Sequence, residues 1–172
     1  MDFNQDFFTL FQLPRRFALD RAALDAAYRR IQGEVHPDRF AASPEAERRL
    51  ALQWATRANE AHQTLRQPLA RARYLLALAG VDTAEDTNTA MPAEFLMLQM
   101  EWREALEDAS TSAAVDALED EVMQARKAGL ARCEALIDHQ GDYPAAAQQV
   151  RALMFIARFA DDIDRRREQL GQ

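Results

Sequence analysis

The chain has 172 residues, one cysteine and no run near the roughly 20 apolar residues of a membrane span, which excludes an internal disulfide and predicts no α-helical anchor. Its formal charge of −7 argues against non-specific nucleic-acid binding, which depends on clustered positive charge. With 48% hydrophobic residues, 5 glycines and 6 prolines among many Ala, Leu, Arg, Glu and Gln, the composition predicts an all-α protein.

The start, "MDFNQDFF", lacks the basic region of a signal peptide, so a cytoplasmic location is expected. A first short helix is predicted over 6–13, with Phe7, Phe8, Leu10 and Phe11 apolar and Pro14 stopping it. Asp20 is placed to cap a second helix, whose apolar Ala23, Leu24, Ala27, Tyr28 and Ile31 recur at three and four residues. That helix must stop before Pro37, and a loop runs on through Ala42. Ser43 then offers a cap, with Pro44 at the first helical position and Glu45 and Glu47 in the first turn. Ala46 stands where a capping box needs Glu or Gln. The long helix that follows carries Leu50, Trp54, Ala58, Ala61 and Leu65 on one side and breaks at Gln67-Pro68. "LARARYLLALAG" resumes helix and stops at Gly80. "VDTAEDTNTA" has no apolar period and several turn formers, and reads as a connection between domains. Three further helices are predicted over 92–109, 112–139 and 143–170, joined by breaks short enough for antiparallel neighbours in a bundle. The expected division is therefore 1–79, a connection over 80–91, and 92–172.

Charge is unevenly placed along the chain. Residues 82 to 142 hold fifteen acids and four bases, a local −11 that leaves the rest of the chain at +4. Such asymmetry suggests two regions with different partners.

His36-Pro37-Asp38 falls in the turn between the basic second helix, which carries Arg29 and Arg30, and the long third one. By itself the tripeptide has two readings: Pro37 ends a helix while Asp38 caps an ordinary turn, or the turn is a contact site. Its setting decides between them. "YRRIQGEVHPDRF", followed about twenty residues later by "NEAHQTLRQPLARARYLL" and preceded by "DFFTLFQLP", resembles the J-domain family of co-chaperones from Phe7 to about Leu76. The resemblance implies an antiparallel hairpin with the tripeptide at its tip, docking on an Hsp-type ATPase such as DnaK or HscA. Asp38 would pair with a chaperone arginine, Pro37 would fix the loop, and His36 would pack and hydrogen-bond at the contact. Arg29 and Arg30 would steer association with an acidic surface. Glu34 stands where many J-domains have a base, and Val35 where they often have tyrosine. With Gly33 they thin the basic face, which favours a specialised partner over a general DnaK.

In the acidic half, turning 100° per residue from Phe95 puts Phe95, Leu98, Trp102, Leu106 and Ala109 on one core face. Leu96, Met97, Met100 and Glu104 fall on the other side. Either the helix is buried on both sides, or Leu96, Met97 and Met100, rimmed by Glu101, Glu104 and Asp108, form an exposed contact patch. In the last helix Val150, Leu153, Ile156, Ala157 and Ala160 make the core stripe. Phe155 points away from it, placed to complete the patch if the two helices are adjacent. "EFLMLQMEWREALEDA" and "VRALMFIARF", joined to the J-domain pattern, resemble the HscB family of iron-sulfur cluster assembly over nearly the whole chain. That resemblance implies a C-terminal domain that holds the scaffold protein IscU, and a J-domain that presents this cargo to an HscA-type chaperone ATPase. The family's scaffold-binding positions fall on Leu96, Met97, Met100, Glu101, Glu104, Asp108 and Phe155. Met100 replaces an expected leucine and Asp108 a glutamate, each keeping its chemical character.

His36, His62, His139 and Cys133 have no metal-ligand spacing, and a turn between helices offers no pocket for catalysis. His62 is expected to pack within the hairpin, His139 to sit at a helix C-terminus and Cys133 to be a helix-face thiol. The expectation is a monomeric co-chaperone, not an enzyme, with no cofactor or metal, and with neither nucleic acid nor membrane among its partners. The alternative is a J-domain adaptor that delivers a different client to a DnaK-type chaperone.

Overall fold

A computed structural model describes residues 3–83 and 90–171; residues 84–89 of the expected connection lie outside the described residues. No strand occurs among the described residues. In chain order the helices are α1 (Phe7–Phe11), α2 (Arg21–Val35), a 3-10 turn (Pro37–Phe40), α3 (Glu45–Arg66), α4 (Pro68–Leu78), α5 (Ala93–Asp108), α6 (Ser112–Glu134), a π-helical turn (Ala135–Gln140) and α7 (Tyr143–Leu170). They form two units, residues 1–75 and 76–172, with α4 running across the division.

In the first unit, α1 begins because Asp6 accepts hydrogen bonds from the Phe8 (2.9 Å) and Thr9 (3.0 Å) amides, satisfying donors that a helix start leaves unpaired. It ends sooner than the apolar pattern suggests. Gln12 adopts a left-handed conformation with φ 57°, turning the chain before Pro14. Asp20 caps α2 through the Ala22 and Ala23 amides. At α3 the cap differs from expectation: Pro44 holds the N-cap position and no side chain bonds the first turn. The Ser43 amide instead donates to the Phe40 carbonyl (2.9 Å), which draws Ser43 into the preceding turn.

Asp25 meets His62 and Tyr28 meets Asn59, so α2 and α3 run antiparallel as a hairpin. Leu24, Ala27, Ile31 and Val35 of α2 and Ala51, Trp54, Ala58, Ala61 and Leu65 of α3 are buried between them and α1. Leu50, expected in this stripe, is exposed. Ala51, Ala58 and Leu65 lie seven residues apart and share a register that leaves Leu50 a residue out of phase. At the far end of α3, buried Arg71 donates to the Leu65 (2.6 Å) and Phe17 (2.8 Å) carbonyls and lays its guanidinium over the Phe17 ring. It closes the last turn of α3, where carbonyls have no helical partner.

The second unit is built on the antiparallel pair of α6 and α7. Gly129 permits close approach: a Cβ there would come within 2.9 Å of both Gln149 and Leu153. Helix α5 leans on this pair through an aromatic quartet. Phe95 stands edge-on to Trp102 and Phe155, while Trp102 and Phe155 each stack on Phe159. The Trp102 indole also donates to Glu121 of α6 (2.8 Å), and Arg166 of α7 donates to the Ala109 carbonyl (2.8 Å) at the end of α5. Arg151 donates to the carbonyls of Thr83 (2.9 Å) and Ala90, the described residues on either side of 84–89. The buried face of α7 is broader than the predicted stripe: Ala157 is exposed, whereas Phe155, Phe159 and Ile163 are buried. A helix that packs on two neighbours needs two apolar stripes, and α7 packs on both α5 and α6.

Candidate functional site

The first candidate lies at the tip of the hairpin. His36 leaves helical geometry at ψ 129°, as the residue before a proline tends to. Pro37 then opens the 3-10 turn. His36 Nδ1 accepts the Asp38 amide proton (3.3 Å). Asp38 Oδ2 also stands 3.5 Å from Nδ1. The Asp38 side chain is 90% exposed, an anion presented to solvent.

Three features stiffen its base. The Arg39 guanidinium donates to the Gly33 carbonyl, tying the 3-10 turn back to the last turn of α2. Tyr28 and Gln32 both donate to Asn59 Oδ1 (2.5 and 2.7 Å), locking α2 to α3. His62 stacks on Tyr28 and bonds Asp25 (2.7 Å), and this hydrogen bond holds the Asp25 carboxyl below its usual range. His62 is thus inside the hairpin, where the sequence reading put it. Arg29 and Arg30 are exposed and form no ion pair among the described residues. Glu34 is exposed and Val35 is core, 6% exposed.

The second candidate is the outer face of α5. Leu96, Met97 and Met100 are 46%, 68% and 73% exposed, and Glu101, Glu104 and Asp108 around them are exposed too. Burial of α5 on both sides is thereby ruled out. Phe155 requires correction. Expected to point outward and complete this face, it is only 8% exposed, its ring edge-on to Phe95 at 5.7 Å and stacked on Phe159. Its outer side is covered by Arg103, whose guanidinium lies 5.5 Å from the ring centre. Phe155 borders the exposed patch and is not part of it.

Neither candidate offers nucleophile chemistry. Cys133 is fully buried, and burial pushes its thiol up to about 12, where it is unreactive. No group of three or more His, Cys, Asp or Glu among the described residues is placed to hold a metal, and no helix among them is long and apolar enough to cross a membrane. Arg39 and Arg103 stand at these two places unannounced by any motif. Each carried a signal: Arg39 is a base directly after a helix stop, and Arg103 is the one base in α5.

A hairpin that exposes His36 and Asp38 at its tip, joined in one chain to a C-terminal helical unit with an exposed apolar face, has the architecture of a J-domain co-chaperone. Residues 91–164 match the family model described as the HSCB C-terminal oligomerisation domain. The chain is 55% identical over 170 residues to a co-chaperone protein HscB homolog of Azoarcus sp. (strain BH72), covering 95% of this chain and 94% of that one. Among solved structures it is similar to chaperone HscB from Vibrio cholerae, with TM-score 0.82, 38% identity, and coverage of 96% of this chain and 99% of that one. It is likewise similar to human co-chaperone protein HscB, with TM-score 0.88, 30% identity, and coverage of 95% and 83%. The chain belongs to the HscB family of co-chaperones.

Proposed function

We propose that the chain binds an IscU-type iron-sulfur scaffold through α5, delivers it to an HscA-type chaperone in the cytoplasm, and stimulates that chaperone's ATPase through His36-Pro37-Asp38. Residues 1–79 act as the J-domain, 80–91 as the connection and 92–172 as the scaffold-binding domain. Asp38 offers its carboxylate to a chaperone arginine, Pro37 fixes the turn, His36 orders the Asp38 backbone, and Arg29 and Arg30 steer the encounter. On α5, Leu96, Met97 and Met100 supply apolar anchors, and Glu101, Glu104 and Asp108 set orientation through charge. Phe155 contributes from beneath Arg103.

The observation that carries this reading is the pair of exposed features in one chain: an anion on a stiff turn, and three large apolar side chains on a helix whose other face is core. An exposed apolar patch rimmed by charge is the usual form of a partner site.

The test is ATP hydrolysis by an HscA-type chaperone, measured with this protein, an IscU-type scaffold, or both. The two together should stimulate more than the sum of each alone. Asp38→Asn should abolish stimulation while leaving scaffold binding intact. Leu96→Ala should weaken scaffold binding by about 1 to 3 kcal/mol and remove the synergy, leaving stimulation by the co-chaperone alone. Equal activity on a DnaK-type chaperone, indifferent to scaffold, would count for the adaptor alternative.

A further inference from the structure

Arg103 is the only base among residues 93–108, where there are five acids. Glu107, one turn on, stands at the spacing that normally gives a helical ion pair. Yet Arg103 forms no ion pair among the described residues, and its guanidinium lies instead over the Phe155 ring. At a solvent-facing site such a contact is weak, so little opposes its opening.

The position of Arg103 on the helix gives this a direction. At 100° per residue, Arg103 and Leu96 are neighbours on the edge of α5 nearest the core, followed by Glu107 and then Met100. Glu104 lies between Met100 and Met97, and Asp108 and Glu101 lie beyond Met97. The face thus has its one cation at the Phe155 edge and its acids spread over the remainder, and Glu107, although beside Arg103, does not pair with it. A partner docking across Leu96 and Met100 desolvates the guanidinium. A desolvated guanidinium without a counter-ion is costly, and its planar donors match a carboxylate.

From this we infer that Arg103 is a movable cover over Phe155 that, on docking, engages a carboxylate of the partner and uncovers the ring as a further apolar anchor. Arg103 thus determines specificity at the α5 face, requiring an acidic group on the partner at the Phe155 edge. This rests on the scaffold-binding reading above.

The test measures binding of an IscU-type scaffold to the intact protein across a salt series, with Leu96→Ala, Arg103→Met, Arg103→Lys and Glu107→Gln. Methionine keeps an apolar cover over the ring without the charge. Arg103→Met should weaken binding roughly tenfold, the order for a hot-spot arginine, and flatten its salt dependence, while Arg103→Lys retains most of the affinity. In the unmodified protein, the Arg103 side-chain Nε–H resonance should leave its ring-shielded position when scaffold is added. Three outcomes overturn the inference: wild-type or tighter binding by Arg103→Met, a loss with Glu107→Gln as large as with Arg103→Met, or an unmoved resonance in the complex. If Leu96→Ala weakens binding in those cases, the scaffold-binding reading stands without this refinement. Wild-type binding by Leu96→Ala defeats both.

Discussion

Asp6 shows how one carboxylate can decide whether a five-residue helix exists. Such a helix has too few internal bonds to form unaided. Asp6 bonds the Phe8 and Thr9 amides, the Thr9 hydroxyl and Arg15 at once. Burial raises its pKa, but the hydrogen bonds from Arg15 and from the Thr9 amide and hydroxyl together outweigh this and hold it below the usual carboxylate range. A carboxyl with a lowered folded pKa contributes stability that is complete above its unfolded value, about 3.9, and lost as pH falls through the lower folded value. Asp6→Ala should therefore cost about 1 kcal/mol at neutral pH, and the gap to wild type should close as denaturation is measured at progressively lower pH. A gap unchanged at pH 2 would show that the cap is not the source. The bond pattern of Asp6 could not be read from "NQDFF", since nothing there announces that Arg15, beyond two turns of chain, returns to it.

At the scale of helices, α5 and α7 separate what period alone reveals from what needs a neighbour. The wheel of α5 divided its residues correctly because the helix has one buried side, lined by Phe95 and Trp102, and one open side with Met97 and Met100. On α7 period alone misplaces Phe155 and Ala157, because a helix wedged between two others buries more than a single stripe. Leu50 in α3 failed for a related reason: three- and four-residue steps back from Trp54 reach Ala51 and Leu50 equally well, and only packing chooses. The correction at Phe155 changes what mutation should do. Leu96→Ala removes an exposed side chain and should leave the melting temperature within about 2 °C of wild type, given that such surface changes fall within about 0.5 kcal/mol. Phe155→Ala empties a site among Phe95 and Phe159, and should cost roughly 3 to 5 kcal/mol. Thermal unfolding of the two variants distinguishes them directly. An equal, small loss from both would mean that Phe155 contributes to the surface after all.

For the molecule as a whole, the charge map was the most legible feature. Opposite local charges in one chain anticipated two units with separate surfaces, and the His-Pro-Asp turn could be placed at the tip of a hairpin before any coordinate was known. What stayed hidden were the arginines that close the structure: Arg39, Arg71, Arg151 and Arg166 all donate to backbone carbonyls. Carbonyls do not vary with sequence, so no pattern of residue types marks such a bond's acceptor. In sequence these bases look like solvated surface, and in the fold they are fasteners. The net positive charge outside 82–142 is in this way partly committed to structure, which leaves Arg21, Arg29 and Arg30 exposed on α2 with no ion pair among the described residues.

The two bonds from Arg151 have a practical consequence. One side chain holds the chain at Thr83 and again at Ala90, so two points of the chain on the approach to α5 are moored to α7. Arg151→Met removes both bonds at once, at about 1 kcal/mol for each hydrogen bond, and should lower the unfolding midpoint of the protein. A midpoint equal to wild type would show that the two bonds contribute nothing. One substitution thereby reports how firmly the approach to the proposed scaffold-binding helix is anchored.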